Sequence, residues 1–79
     1  MWGNMTVAYV LCVVSSGTEK ETLDKLSQYD GVTDSFIVYG EYDVVLKIEV
    51  DSTDELRKFM TEVVRNIPAI ERTTTLITI

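Results

Sequence analysis

The chain has 79 residues, a net charge of −6, one cysteine and no histidine. That length holds one domain, with a core small enough that such chains commonly gain support from a disulfide, a metal or a second copy. The lone Cys12 leaves no internal disulfide, the lack of histidine argues against a Cys/His metal site, and no basic run exceeds Arg57-Lys58, which argues against nucleic acid or an anionic membrane as a direct partner. Oligomerisation is the support that remains.

In chain order, Met1-Trp2-Gly3-Asn4 has neither the charged region nor the apolar stretch of a secretory leader. Thr6–Val14 reads TVAYVLCVV, β-branched and apolar at both alternating positions, which predicts a buried central strand. Its apolar stretch Val7–Val14 is too short to cross a bilayer. The unpaired cysteine within it points to a reducing compartment, by default the cytoplasm. Ser15-Ser16-Gly17 breaks the strand. Thr18-x-x-Glu21 has the spacing of a capping box and predicts a helix to about Gln28, with Leu23 and Leu26 on one face. After Asp30-Gly31, Val32–Tyr39 mixes Thr33, Asp34 and Ser35 with Phe36, Ile37 and Val38, the composition of an edge strand.

Tyr42–Val50 alternates: Val44, Leu46, Ile48 and Val50 on one face, Asp43, Val45, Lys47 and Glu49 on the other. Ser52-x-x-Glu55 is a second capping box, and Leu56, Phe59, Met60, Val63, Val64 and Ile67 behind it follow the spacing of an amphipathic helix. Asn66 and Pro68 stop that helix, and Ile70–Ile79 forms the last strand. The order βαββαβ predicts a ferredoxin-like α+β sandwich with a four-stranded antiparallel sheet, strands one and three central.

Strand one is apolar on both faces: Met5, Val7, Tyr9, Leu11 and Val13 on one, Ala8, Val10, Cys12 and Val14 on the other. The helices cover only one. The other is expected to be sealed by the same face of another copy, pairing sheet to sheet as a dimeric α+β barrel.

Catalytic equipment is sparse. There is no histidine base, Cys12 sits mid-strand as a packing residue, Ser15-Ser16 reads as a turn, and no phosphate-binding glycine loop or CxxC is present. No catalytic residue, metal site or cofactor is predicted. The remaining carboxylates, such as Asp24, Asp54 and Glu62, fall on helix faces, caps and turns as solvated charge. The stretch Tyr39-Gly40-Glu41-Tyr42-Asp43 is richer. A hairpin needs only Gly40; a zwitterion pocket would use exposed backbone amides near Gly40 for a carboxylate and Asp43 for an ammonium. The residues by themselves leave both readings open.

The run VYGEYDVVLKIEV, the helix after it and NIPAIERTTTLI together resemble the effector (RAM) domain of the Lrp/AsnC family of transcriptional regulators. Gly40, Glu41, Tyr42 and Asp43 meet that family's G-x-Y/F-D pattern, and Thr73 and Thr75 its threonine pair; Ala69 departs from a usual glycine. The residues ahead of the first strand are too few for the helix-turn-helix of full-length relatives, so the likeness is to a stand-alone effector domain. The resemblance implies an amino-acid effector bound where dimers meet, in rings of four or five dimers, that is, an octamer or decamer. It also implies full-length Lrp/AsnC regulators as further partners. It implies that Gly40, Tyr42 and Asp43 line the pocket, with Thr73 and Thr75 nearby from a neighbouring subunit. Thr74, on the opposite strand face by parity, is left out. The competing readings are a small enzyme of oxygenase or acylphosphatase type on the same fold, and a purely structural subunit.

Overall fold

The computed structural model describes residues 5–79; the leader reading at residues 1–4 lies outside the described residues. The strands are β1 (Thr6–Val14), β2 (Val32–Ile37), β3 (Val44–Val50) and β4 (Ile70–Ile77). Helix α1 (Glu19–Leu26) joins β1 to β2, and α2 (Thr53–Glu62) with a 3-10 turn at Val64–Asn66 joins β3 to β4. The sheet order is β2-β3-β1-β4 and every pairing is antiparallel, so the strands densest in apolar residues are the central pair, as predicted.

The registers decide which residues share a face, because directly opposed residues point the same way. Ala8, Val10 and Cys12 stand opposite Ile48, Leu46 and Val44, and together with Val14 these form the core beneath the helices. Leu26, Leu56 and Val64 close it from above, while Leu23, Phe59, Met60, Val63 and Ile67 pack at its margin. All six apolar positions predicted for the second helix therefore face the core, but only Leu56 and Val64 are fully buried. Phe59 also meets the Tyr29 ring edge-on at 5.9 Å.

Several boundaries differ from expectation. The second capping element forms: Ser52 takes the extended backbone of an N-cap and its hydroxyl accepts the Glu55 amide at 3.2 Å. The first does not. The Thr18 hydroxyl donates instead to the Ser15 carbonyl, closing the turn that carries the chain off β1, and makes no bond to the helix. Helix α1 ends at Leu26, before Gln28, and the α-helical part of the second helix gives way to a 3-10 turn ahead of Pro68. β2 stops at Ile37 and β3 starts at Val44, because the six residues between them leave the sheet.

Candidate functional site

Those six residues form the turn that the sequence singles out. The Val38 amide donates to the Asp43 carbonyl at 2.9 Å and closes the bend. Gly40 sits at its tip with φ +120°, a backbone conformation that side-chain-bearing residues rarely adopt. No other atom lies within contact of the position its side chain would occupy, so the glycine is required by backbone geometry and the tip is open to an approaching group.

Asp43 is the fixed point of the turn. Its amide donates to the Cys12 carbonyl at 2.8 Å, and its Oδ2 accepts the Val14 amide at 2.9 Å. These two bonds continue the β1–β3 ladder past the last paired residue, with the carboxylate standing in for a backbone acceptor. An ionised carboxylate has room for about four hydrogen bonds, so this use of Oδ2 leaves Oδ1 with capacity for a donor. Asp43 borders a cavity of about 640 Å³ between the turn and the start of α1, lined also by Gly17, Glu19, Lys20, Ile37, Val38 and Tyr39. Its charged lining is two carboxylates and one lysine, and that lysine is already paired with Asp24 at 3.3 Å. Gly17, at φ +89°, makes the sharp turn that brings α1 to this cavity. Ile37 and Tyr39 supply its apolar wall, and Tyr39 is otherwise fully exposed.

The five candidate residues do not form one pocket within a single chain. Tyr42 turns the other way from Asp43: its hydroxyl is hydrogen-bonded to Thr74 Oγ1 at 2.9 Å, and the Arg72 guanidinium lies 6.0 Å from its ring centroid. Thr73 and Thr75 stand opposite Cys12 and Val10 on the helix-side face of β4. Thr73 borders a separate cleft of about 500 Å³ with Met60, Thr61, Val64 and Arg65. The parity reading of the three threonines therefore holds, and Thr74 is the one that meets Tyr42. Sequence spacing carries no sign of that contact, since it depends on a tyrosine reaching across a neighbouring strand. The turn Ser15-Ser16-Gly17 likewise reads as a strand breaker, and only the fold shows that it borders the Asp43 cavity.

Cys12 lies in the core, and burial pushes its thiol up to about 11 from an ordinary value of 9.0, which holds it in the protonated, unreactive form at neutral pH. Among the described residues, no three acidic or cysteine side chains gather as metal ligands would. Nor is any helix among the described residues long and apolar enough to cross a membrane.

The chain is thus a βαββαβ sandwich with one covered and one open sheet face and a glycine turn anchored beside a cavity. The Lrp/AsnC ligand-binding domain model matches residues 7–79, and the chain belongs to that family. It is 32% identical over 75 residues to the HTH-type transcriptional regulator FL11 of Pyrococcus abyssi, covering 95% of this chain and 49% of the relative. The chain thus spans about half the length of the curated relatives it matches first. Among solved structures it is similar to the hypothetical protein PHS023 of Pyrococcus horikoshii, at 39% identity and a TM-score of 0.90, covering 94% of this chain and 89% of the other. The same fold occurs in the transcriptional regulator NMB0573 of Neisseria meningitidis, solved in complex with L-Met, at 12% identity and a TM-score of 0.83, covering 94% of this chain and 49% of that one.

Proposed function

We propose that this domain is a non-enzymatic sensor that binds a free amino acid at the Gly40–Asp43 turn and couples its occupancy to assembly. The observation that carries this reading is the fixed Asp43: its amide donates to β1 and its carboxylate accepts from β1, which holds the residue at the border of a cavity also lined by Glu19, beside the open tip at Gly40. Backbone amides near Gly40 would take the ligand carboxylate, and Asp43 Oδ1 its ammonium. Tyr42 would shape the pocket. Thr73 and Thr75, which their own chain holds on the far strand, would reach the ligand from a neighbouring subunit. The L-Met complex of a protein with the same fold supports an amino acid as the ligand class.

Assembly would begin on the outer sheet face, where Tyr9, Phe36 and Leu76 stand 36%, 49% and 53% exposed beside Val7, Leu11 and Val13. A second copy placed face to face covers this surface and gives the dimer. Dimers meeting at the turns would build an octamer or decamer and complete the pocket. The output of such a module would run through full-length relatives that carry a DNA-binding segment, in the reducing environment of the cytoplasm.

The test is a thermal-shift screen of the twenty amino acids, followed by calorimetry and sedimentation with any hit. A ligand that binds only the folded state at a hundred times its Kd adds about 2.7 kcal/mol of stability, which a melt resolves readily. The expected result is one chemical group of amino acids that raises the melting temperature and shifts the sedimenting mass. A flat screen across all twenty would remove the sensing role.

A further inference from the structure

Tyr42 leaves the turn to which it belongs. Its neighbour Asp43 borders the turn cavity, yet the Tyr42 hydroxyl is bonded to Thr74 on β4. Because β1 lies between β3 and β4 in the sheet, this bond joins the turn ahead of β3 to a strand that is not its neighbour. The register fixes the face: Thr74 stands opposite Leu11 and Arg72 opposite Val13, on the side the helices leave uncovered. Nothing in core packing calls for this bond, since neither Tyr42 nor Thr74 belongs to the core cluster and both stay partly exposed. Arg72 has no carboxylate partner among the ion pairs of the described residues, and its guanidinium instead lies near the tyrosine ring. Two residues of β4 therefore hold one residue of the turn, one at its hydroxyl and one beside its ring.

We infer that Thr74 is a positioning residue for Tyr42, assisted by Arg72, and that this strut links the conformation of the Gly40–Asp43 turn to pairing of the outer sheet face. Tyr42 contributes its backbone to the turn and its ring to the sheet face, so a change in either place moves the other. The linkage rests on the sensing and pairing reading given above; the strut does not. Because coupling is reciprocal, whatever factor a bound amino acid adds to pairing, pairing adds to amino-acid affinity.

The experiment uses the full chain with Thr74→Val, which removes the hydroxyl at nearly constant volume, Thr74→Ser, which keeps it, and Tyr42→Phe. Amide hydrogen exchange without ligand reads the turn directly. Thr74→Val and Tyr42→Phe are expected to speed exchange at the Val38 and Asp43 amides, whose hydrogen bonds close and anchor the turn, while central β1 and β3 amides keep their protection, the double variant to add nothing to either single one, and Thr74→Ser to behave as the parent. Sedimentation with L-methionine, then each of the other nineteen amino acids, reads the linkage: a ligand that shifts the parent's dimer dissociation constant by about tenfold should leave that of Thr74→Val unmoved. Unchanged exchange at the Val38 and Asp43 amides in Thr74→Val, or a ligand-dependent shift that survives in it, overturns the inference. If no amino acid binds the parent chain, the sensing role falls, and the exchange data alone still decide whether Thr74 positions Tyr42.

Discussion

The two faces of β1 are nearly matched in sequence and opposite in fate. Ala8, Val10, Cys12 and Val14 are at most 5% exposed, whereas on the other side Tyr9 keeps 36% of its surface and Val7, Leu11 and Val13 are only partly covered. The described residues hold two short α-helices, and their apolar stripes, Leu23 and Leu26 in one and Leu56, Phe59 and Met60 in the other, point to the same face. A β-branched, apolar outer face that neither described helix covers is therefore information about assembly, as the core face is information about folding. Substitutions on the two faces should fail in different ways.

The largest effect belongs to the covered face. Leu46, in the middle of β3 and fully buried, packs in the shared core, and Leu46→Ala should cost about 2–5 kcal/mol in urea unfolding. For a domain this small that is a large part of the total stability, and the variant should be partly unfolded at growth temperature. A loss under about 1 kcal/mol would mean that this face is packed no better than the outer one, and the contrast would disappear.

Leu11→Glu addresses the outer face and should leave the fold standing. A carboxylate placed in the middle of a paired apolar surface is stripped of water without a partner, so association should fall by orders of magnitude while circular dichroism stays that of the parent. The expected result in sedimentation is an 8.9 kDa species from a parent that runs heavier. If the variant associates as well as the parent, the outer face is not the contact.

How much of this was legible in the sequence depends on the length scale of the physics involved. The strands and their order were, because alternation at Tyr42–Val50 and the doubly apolar run of β1 are short-range patterns that the sheet reproduces. Ser52 was equally readable as a cap, being followed at the right spacing by Glu55 and an apolar stripe. Thr18 carries the same local signal and misleads, because its hydroxyl is taken by the Ser15 carbonyl one turn back. The candidate site was legible only as a location. Gly40 and Asp43 stand out as residue types, but that Asp43 serves as an acceptor for Val14, and that Tyr42 pairs with Thr74, depends on strand neighbours 29 and 32 positions away in the chain.

Asp43 stands where the two kinds of information meet, and a conservative change separates them. Asp43→Asn keeps a side-chain oxygen for the Val14 amide and removes the charge. Stability should change by no more than about 1 kcal/mol and the dimer should persist, while affinity for a zwitterionic ligand should drop roughly tenfold or more through loss of the charge-assisted bond to its ammonium. Asp43→Ala should lose both, since it also leaves the end of β1 with an unpaired amide. Equal amino-acid affinity in Asp43→Asn and the parent by calorimetry would leave the aspartate a purely structural anchor.

The covered face also has a pH response, confined to alkaline conditions. Cys12 has a thiol raised by burial from 9.0 to about 11. Between those values the unfolded chain sheds a proton that the folded chain keeps, so the folded state binds more protons and its stability falls as pH rises. The contribution is present in full below pH 9 and is lost progressively toward pH 11. Urea unfolding of Cys12→Ala should lack this part of the alkaline decline, while starting from lower stability because of the small cavity left behind. The same burial should keep the thiol from reacting with a disulfide reagent at pH 8, except at the rate at which the domain opens. A thiol that reacts at pH 8 as fast as a free cysteine would mean that the helix-covered face admits solvent as readily as the outer one, and the difference between the two faces of β1 would then rest on the outer face alone.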